Sequence, residues 1–214
     1  MARRAWMFAA AAVLLGTAAW LGWLAFSDTV EDAPLPETTF TVDNPTPQPI
    51  DPQQVADLKP GTITIPAINA TAPIVNTQLP TIPHSQTVGW ETDSTPLDDT
   101  SEGTTLLVGH VSGRGTPGAI HDLYQVQPGD NILTRSSTGQ TRRWIVTALS
   151  IVIKEDLPEE LFTLTGPNRL AVVTCGGPII TRKDGSRHYR DNVIATAIPY
   201  PITPIDTTSP DTDS

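Results

Sequence analysis

Cys175 is the only cysteine in the chain, and it stands where an apolar run, Leu170-Ala171-Val172-Val173-Thr174, gives way to Gly176-Gly177-Pro178. A thiol at the end of a strand, beside two glycines, has open space next to it and backbone N–H groups that an incoming oxygen can approach closely. Such a thiol acts as a nucleophile only when a base or a cation holds its thiolate. Of the four histidines, His84, His121 and His188 sit in polar or charged surroundings and are expected to be solvated. His110 differs, because it closes the apolar run Thr105-Leu106-Leu107-Val108-Gly109 and so also stands at a strand rim. Attack of a thiolate on a carbonyl creates an oxyanion, and arginine suits that charge through its permanent cation and several donors. Arg182, Arg187 and Arg190 all follow Cys175; composition alone does not choose among them, but Arg190 directly precedes the last apolar strand, Val193-Ile194-Ala195. The candidate constellation is therefore Cys175 as nucleophile, His110 as acid/base and Arg190 as transition-state cation. Against it stands the plain reading of a packed, inert thiol in a β-domain that only binds ligands.

The elements that must position these groups are short β-rich runs broken by Gly and Pro. Gly61 to Ile68, Thr104 to Val111, Asn131 to Thr134, Arg142 to Ile153, Arg169 to Cys175 and Asn192 to Ile198 read as strands. Gly118 to Gln125 and Pro158 to Leu164 read as short helical turns, the first followed by the turn Pro128-Gly129-Asp130. This pattern predicts a mainly β domain, closed or sandwiched, over residues 61–200.

The flanks have a different character. Arg3 and Arg4 precede an uncharged run from Ala5 to Phe26, about 22 residues, enough to span a bilayer. The bases on its N-terminal side put residues 1–4 in the cytoplasm and the rest outside, as a single-pass membrane protein; a cleaved signal peptide is the alternative. Residues 27–60 carry seven prolines among acids and threonines and read as an extended spacer, and residues 201–214 as a disordered tail. The formal charge of −10 resides largely in these flanks, so it says little about the partner of the folded part. No Lys/Arg run supports nucleic-acid binding, and one cysteine excludes both an internal disulfide and a cysteine-rich zinc site. No cofactor and no metal are expected.

The segments Leu170 to Pro178 and Tyr189-Arg190-Asp191-Asn192-Val193 resemble the sortase signature, in which a strand ends in Thr-Cys and an Arg opens the next strand. Leu107-Val108-Gly109-His110-Val111 resembles the histidine motif of that family, and Ile63-Thr64-Ile65-Pro66 with Ala72-Pro73-Ile74-Val75 its opening strands. The likeness spans about residues 60 to 198, in order, and its Cys-Gly-Gly and Arg-Asp-Asn-Val forms are most similar to the class F sortases of actinobacteria. It departs from the family pattern at Pro96-Leu97-Asp98-Asp99 and at His121.

The resemblance implies an eight-stranded sortase β-barrel. It also implies a transpeptidase that cleaves a Leu-Pro-x-Thr-Gly sorting signal between Thr and Gly and passes the protein to a cell-wall amine, on lipid II or a peptidoglycan stem peptide. Thr174 and Gly176, flanking the nucleophile, become candidates for substrate or oxyanion contacts. An L,D-transpeptidase would need an Arg almost directly after the cysteine, where none stands. One further string, Leu35-Pro36-Glu37-Thr38-Thr39, is a near-copy of such a signal; it is expected either as a chance product of the spacer or as a weak competitor visiting the enzyme's own groove.

Overall fold

Alternation of apolar and small residues along the predicted runs produces strands with two distinct faces. The computed structural model describes residues 32–202, so the expected membrane anchor at 5–26 and most of the expected tail lie outside the described residues. In chain order the strands are β1 (Phe40–Thr41), β2 (Thr62–Ile65), β3 (Ala70–Thr77), β4 (Val88–Glu91), β5 (Thr104–Gly109) and the small hairpin β6 (Ser112–Gly113) and β7 (Thr116–Pro117). They continue with β8 (Asn131–Arg135), β9 (Thr141–Ile153), β10 (Arg169–Thr181) and β11 (Arg187–Tyr200). Among the described residues, helix is limited to the short Pro52–Ala56 segment and four 3-10 turns, among them His121–Gln125 and Glu159–Phe162, where helical turns are predicted.

Eight strands close on themselves in the order β9, β11, β10, β5, β4, β3, β2, β8, with β8 returning to pair with β9. This is the closed eight-stranded barrel that the resemblance implies. Strand β9 closes it by serving two neighbours on one edge: Thr141 to Ile145 pair with β8, and beyond them Ala148 and Leu149 pair with β1. The barrel interior is filled by Leu107, Val172, Leu170, Val193, Ala195 and Trp144 among others. Trp144 is fully buried; its indole N–H donates to Thr134 Oγ1 at 2.9 Å, and the Arg142 guanidinium stacks over its ring at 3.9 Å. A second apolar cluster lies outside the barrel wall, where Leu106 and Val108 of β5 meet Ala171 and Val173 of β10, Ile194 of β11, and Leu161. Burial on both faces explains why β5 and β10 read as continuous apolar runs rather than alternating ones.

Residues 32–60 depart from the expected free spacer. Ile50 and Leu58 are buried with Leu133, and Ala33 is 8% exposed. Gln48 carbonyl accepts from Arg143 Nη2 at 2.8 Å and from Asn131 Nδ2 at 3.1 Å, and Leu58 carbonyl accepts from Arg135 Nη1 at 2.8 Å. The physical reason is that prolines and acids fill the exposed positions, while a few apolar residues and backbone carbonyls suffice to bind the polypeptide along the barrel wall. Strand limits also move. The run after Gly61 ends at Ile65 because Pro66 opens a 3-10 turn, and β5 ends at Gly109 rather than Val111. Strand β10 continues past Cys175 through a bulge between Gly176 and Ile179, where Gly177 takes a φ of 74°, and its partner β11 correspondingly begins at Arg187, so Arg190 lies within that strand rather than ahead of it.

Candidate active site

The nucleophile candidate gains its position from register. Strand β10 runs parallel to β5, with Thr174 opposite Gly109, so the next residue on each strand is Cys175 on one and His110 on the other. On its other side β10 is antiparallel to β11, and Cys175 stands opposite Asn192. Alternation places Cys175 with Ala171 and Val173 on the outer face, and Arg190 with Asn192 and Ile194 on that same face of the neighbouring strand. Arg190 is thus two residues, about 7 Å, along β11 from the partner of Cys175. The register thus brings the three candidate residues to one level of three adjacent strands, His110 just past the end of β5 and Cys175 and Arg190 within β10 and β11, which both run on beyond them.

The outer face carries a cleft of about 640 Å³ that contains Cys175. Leu106, Val108 and Val173 form its floor, Leu79, Pro80 and Ile82 one wall, and Leu157, Leu161 and Phe162 the other. The first wall is a loop between β3 and β4 held from below by Glu91, only 4% exposed, whose Oε2 accepts from Leu79 N at 2.6 Å. Thr77 Oγ1 donates to Thr81 carbonyl at 2.7 Å and closes the same loop.

His110 is half-buried just past β5. Burial lowers its pKa from the ordinary 6.5, the nearby Ile82 backbone opposes that shift, and the charges of Lys154 and His84 add to it. The chain after His110 turns back sharply: Gly118 N donates to Val111 carbonyl at 2.8 Å, and a Cβ on Gly118 would lie 1.9 Å from His110 carbonyl oxygen. His121, expected to be solvated, instead fixes this turn through Nδ1, 2.7 Å from Val111 carbonyl. The following hairpin is tied across to β11 by Ser112 Oγ and Tyr189 OH, 2.9 Å apart. The segments holding His110 and Arg190 are therefore joined directly.

Arg190 grips its neighbour Asp191 through two bonds of 2.8 Å, from Nε to Oδ1 and from Nη2 to Oδ2. Asp191 is 1% exposed, and its carboxylate raises the arginine's pKa further, first by hydrogen bonding and then by charge. This fork fixes the guanidinium plane and leaves Nη1 without a partner among the described residues. The cleft itself is lined by Arg182 rather than Arg190. Thr174 faces inward, is 3% exposed, and donates Oγ1 to Gly109 carbonyl at 3.0 Å, which locks the two rim strands together and occupies the hydroxyl proton. Gly176 also faces inward, where a Cβ would lie 2.8 Å from Leu35 Cδ2 and 2.9 Å from Val193 Cγ2.

That contact decides where the Leu35-Pro36-Glu37-Thr38-Thr39 string resides. Leu35 packs against the barrel core and Pro36 is buried, on the side of β10 opposite to the cleft. Just before it, Ala33 and Gly177 exchange backbone hydrogen bonds of 3.1 and 3.0 Å, and Asp32 Oδ1 accepts from Ile179 N at 3.0 Å. The string is a structural strap, and it does not sit in the groove. Two further cleft residues, Lys154 and His188, are not singled out by the sequence: Lys154 follows the apolar run of β9 but heads the charged stretch Lys154-Glu155-Asp156, and His188 lies between Arg187 and Arg190 with no apolar run to mark it. Arg182 is one of the three arginines that composition does not separate.

Residues 63–199 match the family profile described as Sortase domain. Among solved structures, Streptococcus agalactiae sortase C1 superposes with a TM-score of 0.55 at 19% identity, over 67% of this chain and 68% of that one. Sortase A from Corynebacterium diphtheriae gives 0.52 at 22% identity, over 68% of this chain and 62% of that one. Sortase A of Listeria monocytogenes gives 0.50 at 16% identity, over 66% and 86%. A search of curated protein sequences returns no match.

Proposed function

This chain belongs to the sortase family of transpeptidases, and from that premise we propose that it cleaves Leu-Pro-x-Thr-Gly-type sorting signals between Thr and Gly and transfers the protein to a cell-wall amine of lipid II or a stem peptide. The observation that carries the reading is the parallel register of Thr174 with Gly109, which sets His110 level with Cys175 on the neighbouring strand, Cys175 itself lining an apolar cleft. The cleft suits the Leu and Pro of such a signal, because its walls and floor are almost wholly aliphatic and aromatic. We read the Cys-Gly-Gly and Arg-Asp-Asn-Val forms as those of a class F, actinobacterial enzyme, anchored by residues 5–26 with its catalytic domain outside the cell.

In this mechanism the Cys175 thiolate attacks the Thr carbonyl carbon, and Arg190 stabilises the oxyanion through its remaining Nη1 donors. The C–N bond to Gly breaks as the His110 imidazolium gives its proton to the departing amine, leaving a thioester on Cys175. An incoming amine then loses a proton to His110, attacks the thioester, and releases the thiol as the new amide forms. Burial lowers the His110 pKa and so disfavours the imidazolium, the form that must protonate the leaving amine. Thr174 and Gly176, flanking the nucleophile, contribute through their backbone, since the Thr174 hydroxyl is engaged by Gly109 carbonyl and Gly176 has no side chain.

Mass spectrometry of the soluble domain mixed with a Leu-Pro-Glu-Thr-Gly peptide tests the reaction. An acyl adduct on Cys175, absent in Cys175→Ala and converted to a new amide by an added amine, is the expected result. An unmodified Cys175 with intact peptide overturns it.

A further inference from the structure

The chain as a whole carries 23 acidic against 13 basic residues, yet the cleft reverses that balance. Lys154 and Arg182 line it together with His188, and no carboxylate does. The sole ion pair among the described residues is Arg190 with Asp191, so neither Lys154 nor Arg182 has a carboxylate partner among them. Both ring nitrogens of His188 are buried and have no hydrogen-bond partner among the described residues. Buried polar atoms normally find partners, so an orphaned imidazole beside two more solvated cations that lack a carboxylate describes a place for an anion.

Their location within the cleft narrows the choice. Ile153 stands opposite Asp191, so Lys154 follows at the level of Arg190, and its charge is felt at His110. His188 stands opposite Ile180 on the β10–β11 ladder, and Arg182 follows directly after β10. All three line the cleft that holds Cys175, Lys154 nearest to it in the ladder and His188 and Arg182 further along β10 and β11, whereas the aliphatic wall of Leu79, Leu157 and Leu161 has no charge. Lysine and arginine side chains are long enough to reach back along the ladder, so a peptide whose carbonyl lies at Cys175 brings a neighbouring acidic side chain into the field of these cations.

We infer that Lys154 and Arg182, with His188, select an acidic side chain at the variable position of the sorting signal, between its Pro and its Thr. The inference rests on the sorting-signal reading above and adds to it a charge preference at one position. Partly solvated ion pairs are individually weak, so the expected discrimination is modest, about three- to tenfold between Glu and Lys at low salt, and it shrinks as salt screens the pairs.

The test compares kcat/KM of the enzyme for three peptides, Leu-Pro-Glu-Thr-Gly, Leu-Pro-Gln-Thr-Gly and Leu-Pro-Lys-Thr-Gly, at low and high ionic strength. The expected order is Glu, then Gln, then Lys, with the spread collapsing in Lys154→Gln/Arg182→Gln and reversing in Arg182→Glu. The peptide ratio within each variant is the readout, so a general loss of activity cancels. Equal rates for the three peptides in the wild type overturn the inference and leave the sorting-signal reading intact. A Glu preference that survives unchanged in the double variant also overturns it. Failure to cleave any of the three overturns the sorting-signal reading, and this inference with it.

Discussion

At the scale of single residues, the rim separates two arginines that the sequence offered as equals. Arg190 is held in a fixed plane by buried Asp191, whereas Arg182 is exposed at the edge of the cleft. Preorganised donors stabilise an oxyanion better than mobile ones. Arg190→Ala is therefore expected to lower kcat by about a hundred- to a thousandfold for every peptide, and Arg182→Ala to act through peptide preference instead. Steady-state kinetics of both variants check this, and equal losses in kcat would contradict the assignment. His110 supplies a second prediction. Because burial depresses its pKa, protonation is harder in the folded state than in the unfolded one, so the stability associated with this group is complete above pH 6.5 and declines as pH falls through the lower folded value. Imidazole resonances followed by NMR should titrate below 6.5 in the wild type and move upward in Lys154→Gln; a midpoint at or above 6.5 would refute the burial argument.

At the scale of elements, the rim depends on a reversal of the chain that leaves no room for a side chain. Gly118 passes so close to His110 carbonyl that a methyl group there must push the two segments apart. Gly118→Ala should destabilise the fold by about 1–3 kcal/mol and displace the imidazole from Cys175. Thermal denaturation and kcat together test this: a variant with unchanged melting and unchanged turnover would show that the reversal is not rigid. The elements themselves were largely legible. Apolar runs ending at Gly109 and Thr174 read as two strand ends; the register does pair those residues, but only β5 stops there while β10 runs on to Thr181. Strand β4 escaped notice, because four residues, Val88-Gly89-Trp90-Glu91, are too few to show a period. Residues 32–60 were misread for a related reason: proline and acid content signals exposure on average, yet Ile50, Leu58 and Ala33 need only three matching sites on the barrel. The cationic lining of the cleft had no sequence signal at all, since Lys154, Arg182 and His188 come from separate segments and converge only through the register of β9, β10 and β11.

For the whole molecule, the covering of the barrel by residues 32–60 changes what counts as the folded unit. Removing them uncovers Leu133 and strips hydrogen-bond acceptors from Arg143, Asn131 and Arg135. Loss of the buried Ile50 and Leu58 side chains alone amounts to about 3–6 kcal/mol, and for a domain of this size melting should fall by on the order of 10 °C. A chain beginning at residue 61 compared with one beginning at residue 32 by calorimetry tests the point, and coincident melting curves would return the segment to the status of a free tether. Pro96-Leu97-Asp98-Asp99, a departure from the family pattern, also serves the fold, because carbonyl oxygens of Leu97 and Asp99 accept from the buried Arg142 that covers Trp144.

The pairing of Ala33 with Gly177 also has a mechanical meaning. Among the described residues, the leading ones, Asp32 and Ala33, are bonded to Ile179 and Gly177, two to four residues beyond Cys175, so tension carried through residue 32 falls on these few bonds. The long ladders of the barrel feel that tension only after these bonds have parted, so traction passing through residue 32 reaches β10, the strand that carries Cys175, before the other described strands.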